Sequence, residues 1–186
     1  MNATVDIHPT PNPNALKFVL ERPVKLEGNS SYRSATECGE NNLAKSIFTV
    51  RGVDQIHIFD NVITITKFGY EEWDMIESEV VDVIQQKIDQ HNPDYHDPDP
   101  EAERRRNLSP ELKEIEEILD KTIRPGLQAD GGDLVTLSYE DNILLVQYQG
   151  ACGTCPSATT GTLEAIKSIL RDEYNPDLDV YIAPEY

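Results

Sequence analysis

Basic residues are scarce in this chain: 16 Lys and Arg stand against 34 Asp and Glu, for a formal net charge of −18. A protein that grips a phosphate backbone needs a basic footprint, so no nucleic-acid partner is expected. Adsorption to anionic lipid is excluded on the same ground. No apolar stretch approaches the roughly 20 residues of a spanning helix, so no membrane partner is expected either. The first six residues lack a basic segment followed by an apolar core, and read as no secretory leader. Cysteine is also sparse. Three cysteines, two of them close-set, do not make the disulfide framework of a secreted domain, and the expected location is a reducing cytoplasm. No nucleophile–base constellation and no phosphate loop stands out, so no catalytic residue is assigned and no enzyme activity is expected.

The clearest break in the chain is His91–Pro100, with three prolines, followed by Glu101-Ala102-Glu103-Arg104-Arg105-Arg106. Such a run builds no core and reads as a semi-extended linker, its arginines solvated. The expected organisation is therefore two small domains, 1–92 and 109–186, joined by a Pro- and charge-rich linker over 93–108. The fold class is α+β, each domain an α/β layer. In the first, Leu16, Phe18 and Leu20 alternate as a half-buried strand, and the prolines before them form a turn that cannot join a ladder. Leu43, Ala44, Ile47 and Phe48 have helical spacing. Val53–Phe59 and Val62–Thr66 are strands around an Asp60-Asn61 turn, and Trp73 to Ile88 is an amphipathic helix with Trp73 in the core. His57 reads as a sheet-surface residue, and His91 and His96 as solvated. The second domain opens with Ser109-Pro110-Glu111, an N-cap and a first-turn proline. That helix stops at Arg124-Pro125-Gly126. Asp130-Gly131-Gly132-Asp133 reads as a turn, followed by strands Leu134–Tyr139 and Ile143–Tyr148, a helix through Leu163–Tyr174 and a short strand Val180–Ile182.

Between the second strand and that helix stands Cys152-Gly153-Thr154-Cys155. Two thiols ahead of a helix beginning near Pro156 feel its partial positive charge, which favours thiolate. The flanking glycines leave the loop free to turn both sulfurs toward one point. Three chemistries use such a pair: thiol–disulfide exchange, structural zinc, and an iron–sulfur cluster. Both metal readings need two more ligands. Histidines 8, 57, 91 and 96 lack ligand spacing to the pair, and Cys38 is a lone thiol of incidental role. A two-fold axis beside the loop would supply the missing half, giving four thiolates from two chains.

The segment Gln149–Ser157, with Thr162, Leu163 and Ile166 downstream and Ile123-Arg124-Pro125 and Asp130–Asp133 upstream, resembles the NifU C-terminal domain of Nfu-type iron–sulfur scaffold and carrier proteins. The first half is similar to the Nfu N-terminal domain through Thr10–Phe18, Gly52-Val53, Ile63–Lys67 and Trp73. This resemblance implies a non-enzymatic carrier that holds a 4Fe–4S cluster on Cys152 and Cys155, as a homodimer through the cluster. It receives that cargo from upstream assembly proteins and passes it to apo iron–sulfur acceptors.

Overall fold

The computed structural model describes residues 3–96, 108–153, 155 and 158–183. The chain divides into two units, Met1–Pro98 and Asp99–Tyr186, each built of helices and a β-sheet. The fold class is α+β, as the periodicities predict.

The first unit runs β1 (Val5–Pro9), β2 (Ala15–Leu20), β3 (Asn29–Tyr32), α1 (Asn42–Ile47), β4 (Val53–Phe59), β5 (Val62–Lys67) and α2 (Trp73–Lys87), ending in a 3-10 turn over Ile88–Gln90. Its sheet has the order β1-β2-β5-β4-β3, with every neighbour antiparallel. Asp60, at φ 49°, turns β4 into β5 as the Asp60-Asn61 pair predicts. Asn41 caps α1 by accepting from the Ala44 N–H at 3.0 Å. Phe18, Ile56, Ile58, Ile63 and Ile65 from the strands pack with Leu43, Ile47, Ile76, Val80 and Ile84 from the helices as one core. Each such side chain contributes about 1.5–3 kcal/mol on burial.

Several expectations are corrected here. β1 and β3 have no strong alternation, and only pairing reveals them; β1 is an edge strand, which is why it tolerates Pro9 at its end. His57 is not a surface residue: it is 3% exposed, with its Nδ1 2.7 Å from the Ser31 hydroxyl. Trp73 is only half-buried, its indole N–H donating to the Pro13 carbonyl at 3.1 Å. The chain just beyond His91 is also packed rather than free. Tyr95 is 7% exposed and donates to Ser30 Oγ at 3.1 Å, and His91 Nε2 donates to the Val24 carbonyl at 2.7 Å. Alternating prolines and charges suggested solvent; two aromatic rings at 5.4 Å anchor the segment instead. The Arg104–Arg106 run lies outside the described residues.

The second unit runs α3 (Pro110–Thr122), α4 (Arg124–Ala129), β6 (Gly132–Glu140), β7 (Ile143–Gly150), a π-helical turn (Ala158–Thr162), α5 (Leu163–Glu173) and β8 (Asp179–Ile182). Ser109 caps α3 through a 3.2 Å bond from the Leu112 N–H, with Pro110 in the first turn. Arg124-Pro125 does end that helix, but it also starts another: the proline has no N–H to lose in the first turn of α4. β6 and β7 form a hairpin over Asp141 and Asn142, both at positive φ, and β8 joins β7 in parallel. A parallel partner requires a crossover, and α5 supplies it. Ile115, Leu119, Leu134, Leu144, Val146, Ile166, Leu170 and Val180 are fully buried between helices and sheet. The Cys152–Cys155 segment lies where β7 leaves that sheet.

Candidate functional site

The site begins as a consequence of the β6–β7 register. Gly132 pairs with Gly150, so the start of β6 lies directly beside the chain that enters the cysteine segment. The Ala151 N–H then donates to the Gly131 carbonyl at 3.1 Å. Two overlapping turns follow: Gly153 N–H to the Gly150 carbonyl at 3.1 Å, and Cys155 N–H to the Cys152 carbonyl at 3.4 Å. Gly150 takes φ 60°, a conformation that glycine adopts without strain. Both cysteines are reduced and buried, Cys152 at 7% and Cys155 at 5% exposure.

The Asp130–Asp133 segment is a turn, as expected, but it is also the wall of the site. Gly131 takes φ 83° and needs to be glycine for that reason. Gly132 needs to be glycine for a different one: a Cβ there would stand 2.5 Å from the Cys152 sulfur. The sulfur fills the volume that a side chain at 132 would occupy. Two adjacent glycines, where a turn needs one, are the signal in the sequence that could have revealed this packing, which reading the segment as a turn alone missed.

Asp133 is 1% exposed and anchors the wall. Arg124 Nε donates to its Oδ1 at 3.0 Å and Gln128 Nε2 to its Oδ2 at 3.2 Å. The same guanidinium reaches Glu116 at 2.8 Å, Asp120, and the Leu134 carbonyl at 3.1 Å, so α3, α4 and β6 meet on one side chain. Burial disfavours the Arg124 charge, but Glu116, Asp133 and Asp120 outweigh it and hold the guanidinium above its ordinary value. Glu116 also accepts from the Thr136 hydroxyl at 2.5 Å. Read from the sequence, Arg124 was only a helix stop, because its partners lie on two other elements, α3 and β6.

The electrostatics correct one expectation. The helix expected from near Pro156 is described from Ala158, as a π-helical turn over Ala158–Thr162 that runs directly into α5 at Leu163; Pro156 itself lies outside the described residues. Burial, then Cys155, Asp130 and Asp133, push the Cys152 thiol up to about 12.

Tyr148 stands on β7 just ahead of this loop, 4% exposed, its hydroxyl without a hydrogen-bond partner among the described residues. An unsatisfied buried hydroxyl costs about 1–3 kcal/mol. Nothing in the sequence pattern distinguished it from a core aromatic.

Of the other candidates, Cys38 is fully buried in the first unit's core, its thiol facing the Ser34 carbonyl at 3.4 Å. His57 and His91 sit in that same unit with the partners given above, and His96 faces the Asp94 carbonyl. No three His, Cys, Asp or Glu side chains gather as a metal-binding set among the described residues. What the arrangement supplies is two soft sulfur donors on one loop, half of a tetrahedral thiolate set.

Comparison with known proteins matches this chain on both units. The family model described as scaffold protein Nfu/NifU N terminal matches residues 5–91, and the NifU-like domain model matches residues 115–181. The chain is 35% identical over 173 residues to the NFU1 iron-sulfur cluster scaffold homolog, mitochondrial, of Drosophila grimshawi, covering 91% of this chain and 58% of that protein. It is 33% identical over 181 residues to the protein of that name from Drosophila ananassae, covering 96% of this chain and 63% of that protein. The chain thus spans about three-fifths of the length of these relatives. A solution structure of a NifU-like protein from Saccharomyces cerevisiae aligns with 53% of this chain and 87% of its own, at 25% identity and a TM-score of 0.46. With the N-terminal model on the first unit and the NifU-like model on the second, in the order the motifs predict, the chain belongs to the Nfu/NifU family of scaffold proteins.

Proposed function

We propose that this protein is a non-enzymatic iron–sulfur cluster scaffold and carrier whose cargo is a 4Fe–4S cluster held by Cys152 and Cys155. The observation that carries the reading is the pair itself: two buried thiols on overlapping turns, the Cys152 sulfur fitted against Gly132, with no group of three or more metal-binding side chains among the described residues. Two sulfurs are half of what a cluster requires, and a second copy of the chain brings the other half. A cluster held between two copies is exposed at the junction and open to thiolate exchange. An incoming acceptor cysteine displaces Cys152 or Cys155 stepwise, each departing sulfur taking up the proton that the incoming thiol releases. The upstream partner is a cluster-assembly protein and the downstream partners are apo iron–sulfur proteins. The acidic surface suits acceptors with a basic face.

The rival enzymatic reading, thiol–disulfide exchange, needs a thiol whose pKa is depressed, and the Cys152 environment acts in the opposite direction. Structural zinc on the same pair remains the competitor that the experiment must separate. Protein prepared without oxygen should be brown, hold about two irons per chain and sediment as a dimer. Cys152→Ser and Cys155→Ser should each abolish iron retention. Colourless protein with about one zinc per dimer, or iron-loaded protein that is monomeric, refutes the proposal. The three free thiols suit a reducing compartment. Cell fractionation decides between the cytoplasm and the mitochondrion named for the relatives.

A further inference from the structure

Strand β7 carries a buried hydroxyl that the cysteine pair leaves unused. Tyr148 is 4% exposed, and its hydroxyl is unpartnered among the described residues. Buried hydroxyls find acceptors as a rule, so an orphan beside a binding loop points to an acceptor that forms in another state of the site. Register places it. Gly132 pairs with Gly150 and Leu134 with Tyr148, so all four positions share one face of the sheet, the face that carries the core. The Cys152 sulfur lies 2.5 Å from where a Gly132 Cβ would stand, which puts it on that same face, one row beyond the Tyr148 ring. Same-face rows are about 7 Å apart along a strand, a distance that a tyrosine side chain spans. The two groups sense one another: burial first, and then Cys152, hold the Tyr148 hydroxyl above its ordinary value. A thiol sulfur is a weak acceptor, whereas hydrogen bonds to charged acceptors are about twice as strong as neutral ones.

We propose that Tyr148 donates its O–H to the sulfur of Cys152 once that sulfur is a metal-bound thiolate, and that the hydroxyl has no partner among the described residues because its acceptor has not yet formed. The inference rests on Cys152 being a ligand and assigns Tyr148 a role in the shell behind it. Such partners orient a ligand and tune what it holds. The donor withdraws charge from the sulfur, weakens its bond to iron and so sets how readily an acceptor thiol displaces Cys152. Phenylalanine at this position keeps the ring in the core and removes only the donor.

The test compares the full-length wild-type chain with Tyr148→Phe in two states. Metal-free, the variant should melt at or above the wild-type temperature, since the lost hydroxyl has no partner among the described residues. Reconstituted without oxygen, it should show iron–sulfur(Cys) stretching bands shifted to higher frequency in resonance Raman spectra. It should also lose iron to a chelator about tenfold more slowly, the scale of one hydrogen bond to a charged acceptor. Unchanged bands and unchanged release overturn the proposal, and so does a metal-free variant that melts lower, because the hydroxyl then has a structural partner. Should the wild-type chain take up no iron, the cluster reading itself falls and cadmium(II) alone becomes the probe. A downfield shift of the Tyr148 hydroxyl proton on cadmium addition supports the bond, and an unmoved proton overturns it.

Discussion

Adding one methyl group to Gly132 would place a carbon 2.5 Å from the Cys152 sulfur, 2.8 Å from the Gln149 carbonyl oxygen and 2.9 Å from the Cys152 nitrogen. The sulfur could swing aside. The other two atoms belong to the backbone of β7 and the cysteine loop, and no rotamer relieves them. Gly132→Ala must therefore move the loop off β6 or tilt the strand, and overpacking of this kind costs about 1–3 kcal/mol. For a unit of this size, 1 kcal/mol corresponds to roughly 4–8 °C, so the second unit should melt about 5–20 °C lower. Gly126→Ala is the matched control. It adds the same methyl group inside α4, where nothing lies within 4 Å, and should stabilise by about 0.5–1 kcal/mol through helix propensity. The assay is calorimetry of the metal-free full chain, with iron content measured after anaerobic reconstitution. Gly132→Ala should lose both stability and iron, whereas Gly126→Ala should lose neither. If Gly132→Ala melts with the wild type and binds its full iron, the packing of sulfur on glycine does not shape the site.

Arg124→Met should cost about 3–5 kcal/mol in urea unfolding, because it strands Asp133, whose side chain is 2% exposed, without its cation. Arg124→Lys should recover part of that loss, since one ammonium cannot serve Glu116, Asp133 and the Leu134 carbonyl together. The His91 pKa is lowered by burial, with Arg22 and Lys25 adding to the effect and its bond to the Val24 carbonyl opposing it. A folded pKa below the unfolded 6.5 means that the unfolded chain binds the proton more tightly. The stability of the first unit should be full above about pH 7.5 and decline as pH falls through 6.5, levelling off below the folded pKa. His91→Gln should flatten that decline in denaturant titrations. Cys38→Ala should cost about 1–2 kcal/mol from the core while leaving iron content unchanged; bleaching by this variant would show that the ligands are misassigned.

Long, strongly patterned segments were legible before any coordinates. β4, β5 and α2 stand within a residue or so of where their apolar repeats predict, because burial of one face imposes the period directly. Ser109-Pro110 marked the start of α3 for a local reason, a hydroxyl cap and a proline in the first turn. β1 and β3 were not legible: they are short edge strands held by partners distant in sequence, and their own residues barely alternate. α4 was hidden because the proline that ends one helix is equally suited to start the next.

For the site, composition and spacing alone singled out Cys152 and Cys155, since two close-set thiols beside glycines have few other uses. Linear order could not say what surrounds them. Pairing Gly132 with Gly150 brings a distant turn against the Cys152 sulfur, gathers Asp130 and Asp133 near it, and seats Arg124 on three elements at once. The helix dipole is a local expectation, and linear order gave no sign of the burial and carboxylates that oppose thiolate at Cys152. Local chemistry was therefore written in the order of residues, while burial and long-range charge depended on which strands lie side by side.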